Sequence, residues 1–366
     1  MITEVVKANE LIKADPVFGQ ASFNDHEQIV FCHDKDTGLK AIIGIHNTVL
    51  GPALGGTRMW KYTNEWEALN DVLRLSRGMT YKSAISGLNL GGGKAVIIGD
   101  AKTDKTPEMM VKFGQFIHSL SGKYITAEDV GTTTPDMDLI RDVTPYVTGI
   151  SEARGGSGNP SPVTAYGVYM GMKAAAKQQF GSDSLAGKKV LVQGTGHVGE
   201  TLIDYITKEG GIVFISDINE AKMQEVSAKY GATIYSGDIY SADVDIYAPC
   251  ALGATVNDET INKLKAKVIA GAANNQLANE VVHGKMLQEK GILYAPDFLI
   301  NAGGIINVYA EIVKYDKAEA MRRTENIYNT TLEIFNFAAA NGITTQQAAM
   351  SIAQKRIDDR KKEMAK

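Results

Sequence analysis

Two cysteines in 366 residues, Cys32 and Cys250, exclude a disulfide framework and suit a reducing compartment. Histidine is nearly as scarce. None of His26, His33, His46, His118, His197 and His283 stands in an HExxH or comparable ligand spacing, so no metal site is expected. No apolar run approaches the length of a membrane span. The opening segment, "MITEVVKANELIKADP", mixes acids and bases around no apolar leader core. A formal net charge of −4 gives no general attraction to nucleic acid or to an anionic membrane. There is no internal repeat and no low-complexity tract. What these absences leave is a soluble, cytoplasmic protein whose partners are neither nucleic acid nor membrane.

The length exceeds what one hydrophobic core usually fills, so two domains are expected. "QIVFCHD" and "LKAIIGIHN" read as strands. "NEWEALNDVLRLSRGMTYKSAIS" reads as a helix that buries Trp66, Leu69, Val72 and Leu73. A further helix is predicted to begin near Thr134–Pro135, with threonine as cap and proline in the first turn. "GISEARGGSGNPSP" is the best interdomain linker. Beyond it the short apolar runs "KKVLVQG", "GIVFISD", "VDIYAPC", "KVIAGAAN" and "ILYAPDFLINAGG" alternate with helical stretches, which predicts a parallel doubly wound sheet. Residues 317–340 and 345–364 read as two terminal helices.

"KKVLVQGTGHVGETLIDYITKEGGIVFISDIN" holds Gly194, Gly196 and Gly199 as GxGxxG, with Thr195, His197 and Val198 filling the loop. The bare pattern is weak, because glycine is common. Here it follows a strand, opens a helix and precedes a second strand that ends at Asp217. The three glycines then serve a tight turn, close approach to a pyrophosphate, and tight packing of helix on strand. The helix N-terminus offers free N–H groups and partial positive charge to phosphates. Asp217 would accept hydrogen bonds from the adenosine ribose and repel the extra phosphate of NADP, so NAD is the expected cofactor. Lys222, in "SDINEAKM", is the one nearby cation that would soften that repulsion. His197 sits in the phosphate-cradling loop and is not expected in the chemistry.

"SGLNLGGGKAVIIGD" places Lys94 directly after Gly91–Gly93 and before a predicted buried strand at Ala95–Ile98. The triplet is expected to let something approach the backbone and meet the lysine amine. If Lys82 and Lys94 face one cleft, each raises the cost of protonating the other. Burial and a bound NAD⁺ ring push the same way, toward a neutral amine. Taken singly, each lysine also reads as a surface residue, and Asp129 as a cap or a structural ion-pair partner.

Taken together, "GPALGGTRMW", "GMTYKSA", "GLNLGGGK", "TAEDVGTT", "SGNPSPVTAYGVYMGMKAA", "APCALG", "AANNQL" and "NAGGIINV" resemble the Glu/Leu/Phe/Val dehydrogenase family, over nearly the whole chain. The resemblance implies an α/β fold of two domains. An N-terminal α/β substrate and oligomerisation domain over 1–150 would be completed by a C-terminal helix, 341–366. A Rossmann-type doubly wound NAD-binding domain would span 151–340. It implies oxidative deamination of an L-amino acid with NAD⁺, yielding a 2-oxo acid, ammonium and NADH. Lys82 would bind the substrate carboxylate, Lys94 would be the base that activates water, and Asp129 would carry a proton to and from the substrate nitrogen. Thr164 and Asn275 would orient the nicotinamide. No metal is implied, and the chain would assemble as a homo-oligomer, an octamer.

The same resemblance implies a substrate pocket that includes Leu54, Gly55, Met79, Ile305 and Val308. Leu54 stands where glutamate-specific relatives carry a lysine for the side-chain carboxylate, and an unpaired buried carboxylate is costly. A branched-chain aliphatic amino acid is therefore expected. Ile305 is bulkier than the valine of typical leucine-type members, which would tighten the pocket, and Asn274 resembles the phenylalanine-type ones; a phenylalanine or valine enzyme of the same family is the alternative. One methylene in an apolar pocket is worth only about 1–3 kcal/mol. A non-catalytic NAD-binding regulator is opposed by the joint presence of Lys82, Lys94 and Asp129. A 2-hydroxy-acid dehydrogenase would need a histidine–carboxylate pair and an arginine where these motifs offer lysines.

Overall fold

The computed structural model describes residues 17–314 and 316–366; the opening segment read above for an apolar leader lies outside the described residues. The chain divides into two compact units. The first takes in the described residues up to Thr80 together with Asn89–Arg154, the second Tyr81–Leu88 and Gly155–Lys366. The later division falls inside the Gly/Ser/Pro-rich stretch. Among the described residues no helix is long and apolar enough to cross a membrane.

The first unit is built on five strands, β1 (Gln28–Asp34), β2 (Leu39–Asn47), β3 (Ala53–Trp60), β4 (Gly91–Ile98) and β5 (Tyr124–Glu128). Their order is β1-β2-β4-β3-β5. β2 is antiparallel to β1 and β4, while β3 runs parallel to β4 and β5. Because successive side chains alternate sides, the sheet has two apolar faces. Ala53, Met59, Ala95 and Ile97 pack toward helices Pro107–Ser119 and Thr134–Arg141 through Phe113, Ile117, Met137 and Ile140. Ile42 and Val96 meet Leu69, Val72 and Leu73 of helix Glu65–Ile85 on the other face. Trp66, expected in that stripe, is 52% exposed, because it lies in the first turn, ahead of the buried stretch.

The strand read from Ala95 begins earlier, at the three glycines before Lys94. They open β4, and each is in contact with other parts of this unit. A Cβ on Gly91 would lie 1.9 Å from the Asn47 carbonyl oxygen, on Gly92 2.1 Å from the Thr80 amide nitrogen, and on Gly93 2.7 Å from the Tyr124 ring. The close approach expected of an external group is made by the protein itself, whose long helix lies against β4 at Gly92.

The second unit carries β6 (Lys189–Gln193), β7 (Ile212–Ser216), β8 (Thr233–Ile234), β9 (Ile246–Pro249), β10 (Val268–Ile269) and β11 (Leu293–Tyr294). The order is β11-β10-β9-β6-β7-β8, with every pairing parallel. This is the doubly wound sheet expected. Its strand order reverses between β6 and β9, and ligands of such sheets bind beyond the strand ends at that switch point. The stretch 317–340 forms two helices, Lys317–Glu325 and Ile327–Asn341, broken at Asn326. Helix Thr345–Met364 starts with a Thr344/Gln347 capping box and buries Ala348, Ala349, Ala353 and Ile357. Residues 341–366, joined to the first domain in the sequence reading, group with the second unit. The contacts explain it: Arg356 donates to the Ala84 carbonyl at 2.9 Å, and the Tyr81 hydroxyl to Gln354 at 2.9 Å.

Candidate functional site

Register puts Leu54 opposite Gly92 and Arg58 opposite Val96, so Leu54, Arg58 and Lys94 share the face of the first sheet that meets the long helix. Lys94 is 6% exposed. Its Nζ donates to Asp129 Oδ2 at 2.6 Å. The partner of Lys94 is thus an anion. Asp129 is the first residue beyond β5, in a loop fixed at several points. Its N–H donates to Thr132 Oγ1 at 3.0 Å, and that hydroxyl donates to the Thr57 carbonyl at 2.8 Å. Met59 donates to the Val130 carbonyl at 2.8 Å, and Lys105 to the Gly131 carbonyl at 3.1 Å and Asp136 at 2.7 Å. Gly131 takes φ +83° with the Met59 carbonyl oxygen 2.1 Å from where a Cβ would stand, so only glycine fits. The following helix is capped by Thr133, one residue ahead of the threonine predicted, and Asp136 accepts from the Thr133 amide and hydroxyl.

Burial alone would raise the Asp129 carboxyl, but the Lys94 and Arg58 charges outweigh it and hold it at about 2. A carboxylate against a buried amine can pass protons, which is the chemistry the pair offers.

Lys82 lies in the last turn of helix Glu65–Ile85, with Met79 half-buried before it. Its Nζ donates to Asn274 Oδ1 at 3.4 Å. That oxygen also accepts from Asn301 Nδ2 at 2.8 Å. Asn275 sits at φ +52°, and its carbonyl accepts from Ala254 at 2.7 Å. Gln276 N–H donates to Asp297 Oδ2 at 2.8 Å. Burial pushes the Asp297 carboxyl up to about 6, against the opposing pull of the Gln276 amide and of Lys82. Asn301 and Asp297 do not stand out in the sequence, although "APDFLINAGG" carries both. What identifies them is spatial: they brace the turn that meets Lys82.

Ile305 and Val308 lie in helix Gly303–Val313, 6% and 8% exposed. The two glycines at its start let it abut helix Ser161–Phe180. A Cβ on Gly303 would meet the Val163 carbonyl oxygen at 2.1 Å, and one on Gly304 would meet Thr164 Oγ1 at 3.0 Å. Thr164 Oγ1 donates to the Pro160 carbonyl at 3.0 Å. In the first unit, Leu54 is 2% exposed. Gly55 has a plain structural reason to be glycine: a Cβ would lie 1.7 Å from the Gly93 carbonyl oxygen.

The glycine loop follows β6 at the switch point and opens helix His197–Lys208. Gly194 adopts φ +106°, and a Cβ on Gly199 would stand 2.0 Å from the Gly194 carbonyl oxygen. Around Gly196 there is open space, and no side chain caps the helix start; His197 is exposed and Val198 half-buried. Thr195 N–H and Oγ1 donate to Asp217 Oδ2 at 2.6 and 3.0 Å, and Asn219 N–H to Oδ1 at 2.9 Å. Burial raises the Asp217 carboxyl, but these bonds win and keep it below the ordinary carboxylate range. Lys222 is taken up by Glu200 at 2.8 Å and Glu225 at 2.9 Å. An uncapped helix start behind an open glycine, with an ionised aspartate after the second strand, fits a dinucleotide diphosphate and its ribose. Among the described residues no cluster of His, Cys, Asp or Glu could hold a metal.

One unit carries a buried lysine paired with a part-buried carboxylate; the other has the switch point of a doubly wound parallel sheet. That division of labour is the design of a two-domain α/β dehydrogenase. The chain belongs to the Glu/Leu/Phe/Val dehydrogenase family, an amino-acid dehydrogenase family. Residues 26–146 match its dimerisation-domain model, and 155–225 and 216–364 match its Glutamate/Leucine/Phenylalanine/Valine dehydrogenase model. The chain is 58% identical to leucine dehydrogenase of Bacillus subtilis (strain 168) over 335 residues, 91% of this chain and 92% of that one. It is 46% identical to phenylalanine dehydrogenase of Bacillus thermotolerans, over 98% of this chain and 94% of that one. The crystal structure of L-tryptophan dehydrogenase from Nostoc punctiforme superposes with a TM-score of 0.81 at 48% identity, covering 92% of this chain and 97% of that one.

Proposed function

We propose that this chain catalyses reversible NAD-dependent oxidative deamination of branched-chain L-amino acids, leucine with valine and isoleucine, to 2-oxo acids and ammonium. The observation that carries the reading is the bond from the buried Lys94 amine to the part-buried Asp129 carboxylate, at 2.6 Å. Relatives named leucine dehydrogenase at 57–58% identity support the substrate class. In this reading Lys82 holds the substrate carboxylate, with Asn274 and Asn301 fixing its amine. Lys94 takes a proton from the water that attacks the imine carbon, and Asp129 moves a proton to and from the substrate nitrogen. Bound NAD⁺ supplies the acceptor for the α-hydrogen as hydride. Gly194–Gly199 cradle the diphosphate, Asp217 holds the ribose, and Thr164 and Asn275 orient the ring. Leu54, Gly55, Met79, Ile305 and Val308 are the residues assigned to the substrate side chain. The first unit is the substrate and catalytic domain, and the second, apart from Lys82 and the pocket residues, the NAD-binding domain. Free thiols at Cys32 and Cys250 suit a cytoplasmic setting, and the protein is read as a homo-octamer.

NAD⁺ reduction assayed across the twenty amino acids tests this directly. Leucine, valine and isoleucine should react. Glutamate should not, because an apolar Leu54 leaves its side-chain carboxylate unpaired. Glutamate turnover comparable to leucine would sink the pocket; a phenylalanine preference would move the substrate and keep the mechanism.

Cofactor choice follows from Asp217. With Lys222 held by two glutamates, its charge offsets little of the repulsion between Asp217 and a 2′-phosphate. kcat/KM with NADP should be about 10²-fold below that with NAD. Equal efficiencies would remove the assignment. Lys82→Ala should raise KM for leucine and for its oxo acid by about tenfold or more, since a charge-assisted contact to the carboxylate is lost. An unchanged KM for both would contradict its role.

A further inference from the structure

We infer that Arg58 is a positioning residue for this reaction, holding the Asp129 carboxylate against Lys94 and supplying a second positive charge beside it, an inference that rests on the deamination reading. Arg58 Nε donates to Asp129 Oδ2 at 3.2 Å, the same oxygen that accepts from Lys94. Its Nη1 donates to Asp71 Oδ2 at 3.0 Å, on the long helix. Asp71 in turn accepts from the Tyr62 hydroxyl at 2.8 Å and from Arg74 at 3.1 Å. One guanidinium therefore spans two carboxylates, one on the helix and one at the end of β5. The rigid planar fork holds both carboxylates in one fixed geometry, which an ammonium on a flexible stem does not reproduce.

An arginine that merely stitched the long helix to the sheet would need Asp71 alone. The second bond goes instead to the oxygen the proposed base uses. The charged and titratable groups around Asp129 are Lys94 from β4 and Arg58 from β3, with Asp71 and Tyr62 behind Arg58 and Tyr124 in β5 itself. Burial raises both phenols well above their ordinary value, so they stay neutral. Removing the Arg58 charge raises the proton affinity of the Lys94–Asp129 pair as a unit, so the acid limb of activity moves to higher pH whichever member titrates in it.

The test uses the full-length protein with leucine and NAD⁺. Arg58→Gln should lower kcat about 10- to 100-fold with KM for leucine within about threefold, and shift the acid limb of kcat up by about one pH unit. Arg58→Lys, which keeps the charge and loses the fork, should return the limb to within about 0.3 unit of wild type. An Arg58→Gln variant with the wild-type limb would overturn the inference, as would an Arg58→Lys variant whose limb moves as far as that of Arg58→Gln. If Arg58→Gln does not fold, Asp71→Ala decides: it removes the acceptor at the far end of the guanidinium, so kcat should fall several-fold with the limb in place. Wild-type kcat in Asp71→Ala would overturn the positioning role. Wild-type protein inactive on all amino acids would instead fail the deamination reading, and the Arg58 inference with it.

Discussion

Lys94→Ala should lose oxidative deamination of leucine by about 10²- to 10⁴-fold at saturating substrates, the range expected for removal of a general base. NADH affinity should stay within about threefold, because the glycine loop and Asp217 belong to a unit that does not contain Lys94. The two effects should therefore separate. Lys94 is 6% exposed, and its amine is spent on one carboxylate, so it has no part in holding dinucleotide. The variant should also be less stable, since a part-buried Asp129 is left with Arg58 as its remaining ion-pair partner. Initial rates, an NADH fluorescence titration and a melting curve check the three statements together. Near wild-type turnover in a folded variant would show that another group activates water, and would undo the mechanistic reading while leaving the family intact.

A residue is legible in the sequence when its reason is local. "QIVFCHD" and "LKAIIGIHN" are β1 and β2 with the bounds read for them, because apolar content and turn signals specify a strand by themselves. The GxGxxG loop is legible because strand, glycine spacing, helix and acidic residue all lie within one short segment. Asp129 and Lys94 are named through resemblance, and their bond to each other is a fact of three dimensions. Gly91–Gly93 read as a place where an external group approaches the backbone and are packed against the protein itself, since a sequence shows that a Cβ is missing and not which atom occupies its place. Arg58 stands inside the motif "GPALGGTRMW" with nothing local to mark it. Its meaning needs Asp71 and Asp129, which only the fold delivers. The same limit hides Asn301 and Asp297, and with them the contacts that group the last helix with the second unit. Packing partners of a helix are not written in its own periodicity.

Two glycines that look alike in sequence should therefore behave in opposite ways. Gly55→Ala would drive a Cβ to 1.7 Å from the Gly93 carbonyl oxygen, a backbone atom that cannot rotate away. β4 has no room to retreat, because Gly93 already lies against the Tyr124 ring and Gly92 against Thr80. Parting β3 from β4 would break the parallel ladder that carries Leu54, Arg58 and Lys94. Overpacking on this scale costs about 3 kcal/mol or more, so the variant should be insoluble or melt about 10 °C lower, with activity lost through the fold. Gly196→Ala is the reverse case. Its φ is −66°, ordinary for alanine, and open space surrounds the new methyl. The ligand-free protein should melt within about 2 °C of wild type. NADH should bind about tenfold or more weakly, because the methyl stands where the diphosphate must approach the helix start. Paired melting curves and NADH titrations separate the two outcomes. Unchanged NADH affinity in Gly196→Ala would mean that the dinucleotide does not use this loop. A stable, active Gly55→Ala would mean that β3 and β4 can part without disturbing Lys94.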